Sequence, residues 1–144
     1  MTTLSSETLH ASSVVIDGCA VLLEGPSGVG KSDLALRLVD RGAVLISDDY
    51  TLLMRRDGAL IARAPDTIRG RMEVRGLGLI TLPQVDDVPV GLIVRLGIEP
   101  LRMPERRRRR LAGIEVREVA FEAFHASTPI KIELALRQPE ATPA

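Results

Sequence analysis

Residues 25–32 read Gly25-Pro26-Ser27-Gly28-Val29-Gly30-Lys31-Ser32, a complete G-x-x-x-x-G-K-[ST] pattern, and nothing else in the chain constrains its fold as tightly. The flanks suit it. Cys19 to Leu23 is a continuous apolar run that predicts a buried strand, and Leu34, Ala35, Leu38 and Val39 share one face of a predicted helix over 32–41. Strand, glycine loop and helix in that order give the pattern physical meaning. The glycines let the backbone curl so that successive N–H groups face a phosphate, and the new helix adds the positive end of its dipole. Lys31 then reaches the β- and γ-phosphates while the Ser32 hydroxyl binds Mg²⁺. These eight residues are the candidate nucleotide-binding site, with Mg²⁺ at Ser32.

The chain has 144 residues, 45% hydrophobic and 26% charged, which suits one globular domain with a true core. A single domain over 1–137 is expected, with 138–144 a frayed polar tail carrying two prolines. No apolar run approaches the ~20 residues of a membrane span, and the first ten residues have no secretory pattern. One cysteine, Cys19, offers neither an internal disulfide nor a metal cluster. No membrane partner and a cytoplasmic location are the expectations. Basic and acidic residues balance at 19 each, and Tyr50, Phe121 and Phe124 are the only aromatics. Both facts argue against a nucleic-acid partner, which calls for a basic excess or a stacking surface for bases.

Elsewhere Asp17-Gly18 and Asp57-Gly58 predict hairpin turns, the second between strands at Thr51–Met54 and Ala59–Ala62. Further strands are expected at Ala43–Ile46, Leu79–Leu82, Val90–Leu96 and Ile114–Val119. Leu101–Arg110 reads as irregular and very basic. Thr128-Pro129 predicts a helix start with Thr at the N-cap and Pro at N1. Many strands and few helices point to a mixed sheet.

Two further features bear on chemistry. Asp48-Asp49 closes the Ala43–Ile46 strand, where a carboxylate can hold Mg²⁺ or accept a proton beside a P-loop. Neighbouring strand residues face opposite ways, so one acid can serve the nucleotide and the other the structure. Met72-Glu73-Val74-Arg75-Gly76-Leu77-Gly78 taken alone names no chemistry, since its glycines suit a bulge or a tight turn.

The P-loop, the strand-end Ile46-Ser47-Asp48-Asp49 and the segment from Met72 to Ile80 occur in that order at close spacing. Together they resemble the catalytic domain of the HPr kinase/phosphorylases, from about Leu9 to about Leu96 and weakly beyond. The likeness is to the short, catalytic-domain-only form. It implies an α/β fold: a P-loop kinase domain of the HPr kinase/PEP carboxykinase type, on a mixed twisted sheet with few helices. It also implies transfer of a phosphoryl group from ATP to a serine of the phosphocarrier HPr, with phosphorolysis as a second activity, in a homo-oligomer that is a hexamer in the family. Residue by residue, Asp48 matches the family's proton acceptor, Glu73 a Mg²⁺ ligand alongside Ser32, and His10 an active-site histidine. Asp49 joins the candidate metal group. His10 matters only if it folds back beside Asp48 or Asp49.

Residues 102–110 hold six Arg and one Glu, a net charge of +5. Arg106 best matches a family arginine that would steady transferring phosphoryl charge. A docking patch and a solvated loop are the other readings of this stretch. Pro129–Leu134 is the nearest match to a family segment tied to dephosphorylation, without its Gly and Arg. Two other functions fit the residues: a P-loop kinase of a small metabolite, and a non-catalytic ATP-sensing or docking module.

Overall fold

A computed structural model describes residues 5–98 and 107–138. In chain order its elements are β1 (Ser6–Leu9), β2 (Ala11–Ile16), β3 (Cys19–Glu24), α1 (Lys31–Asp40), β4 (Val44–Ser47), β5 (Thr51–Arg56) and β6 (Ala59–Arg63). A 3-10 turn (Asp66–Ile68) leads to β7 (Arg71–Val74), β8 (Gly78–Thr81), β9 (Val88–Arg95), β10 (Arg107–Leu111), β11 (Ile114–Ala120) and α2 (Thr128–Arg137). The α/β fold with a mixed sheet and few helices is as expected: nine strands form one sheet and β7–β8 a separate hairpin.

Local sequence explains the turns. Asp17 and Gly18 both take positive φ, 52° and 77°, as do Asp57 and Gly58 at 52° and 79°. That pairing matches the right-handed twist of the strands they join. Helix α1 ends in a Schellman motif: the Ala43 N–H donates to Leu38 O and the Gly42 N–H to Val39 O, both at 3.0 Å, with Gly42 at φ 110°.

Both faces of the central strands are buried, which is why they read as unbroken apolar runs. Val21 and Leu23 of β3 and Leu92 and Val94 of β9 meet Leu34 and Leu38 of α1 and Ile132 of α2. The alternate residues Ala20, Leu22 and Ile93 meet Leu53, Leu60 and Val116 on the other side. Strands β3, β9 and β11 run parallel, while β2 is antiparallel to both β3 and β4. The ends of β3, β4, β9 and β11 and the start of β2 therefore lie along one sheet edge.

Three local expectations change. Residues 107–110 are strand, not irregular chain, because β11 supplies a ladder in which Arg107 faces Glu118 and Arg110 faces Glu115. Ser127 rather than Thr128 is the N-cap of α2; Thr128 is buried and donates from Oγ1 to Glu122 O at 2.5 Å. Ser6–Leu9, unassigned in the sequence, becomes an edge strand on β5.

Candidate active site

The P-loop joins β3 to α1 at that edge. Lys31 is only 6% exposed, and its Nζ donates to Gly25 O at 2.6 Å and Pro26 O at 3.1 Å. An ammonium carries three donors, so two of them brace the entry to the loop. Gly28 and Gly30 hold φ of 82° and 108°, the left-handed backbone that the curl needs.

Asp48 sits opposite, at the end of β4, and is 8% exposed. Its Oδ1 accepts from Ser32 Oγ at 2.6 Å and Ser12 Oγ at 2.9 Å, and its Oδ2 from the Glu73 N–H at 3.3 Å. Three donors fix the orientation of this carboxylate. A register shift between β2 and β4, at Ser13/Val14, lies beside it; bulges of this kind re-aim side chains next to functional sites.

Asp49 turns the other way because its φ is 69°, a left-handed value Asp tolerates. Its side chain is 55% exposed, and its Oδ1 lies 2.9 Å from Nε2 of His10. The His10 ring stacks on Tyr50, centroids 4.8 Å apart and 18° from parallel. His10 does fold back, then, and its partner is Asp49. Ser12 links the two acids, since its Oγ also accepts the Asp49 N–H at 3.1 Å.

Gly25 through Ser32, Asp48, Asp49, His10 and the Glu73 backbone are thus brought together. The Glu73 side chain is exposed on β7. Arg106 lies outside the described residues, as do 139–144 of the expected tail. Ser12 was missed: a serine in an apolar strand carries no signal until the fold shows what it faces. Arg109 was submerged in its arginine run. It grips Glu24, the residue before the P-loop, in a two-pronged ion pair whose second arm is 2.6 Å. Arg95 and Glu118 complete this charge cluster. The hydrogen bond to Glu24 raises the Arg109 pKa above its ordinary value against the opposing effect of burial.

Residues 2–86 match the family model for the HPr serine kinase C-terminal domain. The chain belongs to this family. It is 43% identical over 83 residues to an HPr kinase/phosphorylase of Clostridium botulinum, covering 57% of this chain and 27% of that protein. Against the HPr kinase/phosphorylase of Clostridium tetani it is 39% identical over 101 residues, 65% of this chain and 33% of that protein. Matches of this kind thus span about a quarter to a third of the curated relatives' length. The solved structure of the Hpr(Ser) kinase/phosphatase from Coxiella burnetii superposes with a TM-score of 0.79 at 31% identity, over 91% of this chain and 94% of that one. As an HPr serine kinase C-terminal domain, the chain keeps the family fold. Among its described residues no helix is long and apolar enough to cross a membrane.

Proposed function

We propose that this chain is an ATP- and Mg²⁺-dependent kinase that phosphorylates a serine of HPr in the cytoplasm. The observation that carries the reading is the Ser32–Asp48 hydrogen bond, which ties the P-loop to the strand-end acid. Ser32 donates its hydrogen bond to Asp48 and keeps oxygen lone pairs for a hard cation. Mg²⁺ takes one or two protein groups plus phosphate oxygens and needs no all-protein cage. That fits an oxygen donor set of Ser32, Asp48 and the Glu73 carboxylate. When bound, Mg·ATP supplies the transferable phosphoryl group and neutralises charge around it.

The chain's own residues divide the remaining work. The P-loop amides and Lys31 hold the phosphates, and Asp48 orients Ser32. The proton acceptor is better placed at Asp49 than at Asp48, the residue singled out by the sequence resemblance. Asp48 is buried and already accepts three hydrogen bonds. Asp49 is open to an incoming hydroxyl and is oriented by His10. A base must reach the proton it abstracts, so access weighs first.

The test is label transfer from γ-labelled ATP to HPr, beside an HPr whose acceptor serine is Ala. Label on the wild-type HPr alone is expected. No label despite ATP binding overturns the reading in favour of a metabolite kinase or a sensor. Adding inorganic phosphate to phosphorylated HPr and assaying pyrophosphate tests phosphorolysis separately, and sedimentation of the purified chain tests the oligomer.

A further inference from the structure

Phe124 is 68% exposed, the largest exposure of the three aromatic residues. It lies on the loop between β11 and α2, against the P-loop: a Cβ built on Gly30 would stand 2.7 Å from Cζ of Phe124. The loop is tied down around it. Arg37 of α1 donates to the carbonyls of Ala123 and His125, the latter at 3.2 Å. The Phe121 N–H donates to Arg95 O at 3.2 Å and the Thr128 side chain to Glu122 O at 2.5 Å. One part of the ring rests on Gly30 and the rest faces solvent.

The strand order gives this position a direction. His10, Ser12, Asp48 and Asp49 come from β2, β4 and their ends, on one flank of β3. The loop bearing Phe124 follows β11, beyond β9 on the other flank. A triphosphate in the P-loop with its reacting end toward Asp48 and Asp49 must lead its nucleoside away from them. The Gly30 side is where the described residues offer a flat apolar surface. Bases stack on such rings whatever their edge pattern.

We propose that Phe124 is the stacking platform for the purine base of the bound nucleotide. This rests on the reading that the triphosphate lies in the P-loop, and the test separates the two.

Binding of Mg·ATP and of Mg·tripolyphosphate, which has the phosphates and no base, would be measured by calorimetry on the full chain. The proteins are wild type, Phe124→Ala and Phe124→Trp. Phe124→Ala is expected to weaken Mg·ATP about tenfold and to leave tripolyphosphate unchanged. Phe124→Trp keeps the ATP affinity. Because the chain has no other Trp, its emission should be quenched by Mg·ATP and not by tripolyphosphate. Unchanged ATP affinity in Phe124→Ala, equal loss of both ligands, or equal quenching by both overturns the platform. Failure of both ligands to bind the wild type overturns the phosphate reading itself, and the platform with it.

Discussion

Asp48 and Asp49 are adjacent in sequence but belong to different hydrogen-bond systems. Asp48 is buried and accepts from Ser12, Ser32 and the Glu73 amide; Asp49 is exposed and pairs with His10. The left-handed φ of Asp49 makes the divergence. Asp49→Asn is therefore expected to bind Mg·ATP normally and to lose phosphoryl transfer by about 10²–10⁴-fold, the usual worth of a positioned base. Asp48→Asn is expected to lose the Mg²⁺ dependence of nucleotide binding. Calorimetry with and without Mg²⁺, beside single-turnover transfer, separates the two. The roles are reversed if Asp48→Asn binds normally but fails to transfer while Asp49→Asn transfers.

Ser12 donates to Asp48 and accepts from the Asp49 amide while fully buried. Ser12→Ala removes a donor from one acid and leaves the amide of the other unmatched. A stability loss of about 1–3 kcal/mol is expected in urea unfolding, from the unsatisfied buried group. The transfer rate should fall while KM for ATP changes little, because the P-loop is untouched. Recovery in Ser12→Thr, which restores the hydroxyl, distinguishes positioning from a packing defect.

Arg109 and Arg41 both have pKa values raised above the ordinary range by a hydrogen-bonded glutamate, Glu24 and Glu133 respectively. Their settings differ. Glu24 and Glu118 around Arg109 are 17% and 8% exposed, whereas the Arg41 guanidinium reaches into solvent. Arg109→Ala takes a cation away from two poorly solvated carboxylates. A loss of about 1–3 kcal/mol is expected, below the full penalty of a wholly buried pair because Arg109 is itself partly exposed. Arg41→Ala should cost less. Chemical denaturation of both variants decides it, and an equal or larger loss at Arg41 would contradict the role given to Glu24.

The elements legible in the sequence are those that carry their own instructions. The Asp-Gly turns, the apolar run Cys19–Leu23 and Gly42 after α1 each state a local geometry that the fold keeps. What stayed hidden depends on a partner. Ser6–Leu9 has a strand's pattern only against β5, and Arg107–Arg110 only against β11. The site divides the same way. The P-loop is local and was readable, whereas the pairing of His10 with Asp49 spans 39 residues and Ser12 with Asp48 spans 36.

Gly28 and Gly30 separate backbone strain from collision. Both have positive φ, so alanine at either is strained by roughly 1–2 kcal/mol. Around Gly28 a new Cβ meets nothing within 4 Å. At Gly30 it meets the Phe124 ring at 2.7 Å and the Ala123 Cβ at 3.0 Å, and Arg37 holds that loop in place. Gly30→Ala must therefore distort the P-loop or push the β11–α2 loop off α1. It is expected to lower stability by more than Gly28→Ala and to loosen residues 121–127, read as faster amide exchange there. Equal losses, with exchange unchanged over 121–127, would mean that the two loops do not bear on one another.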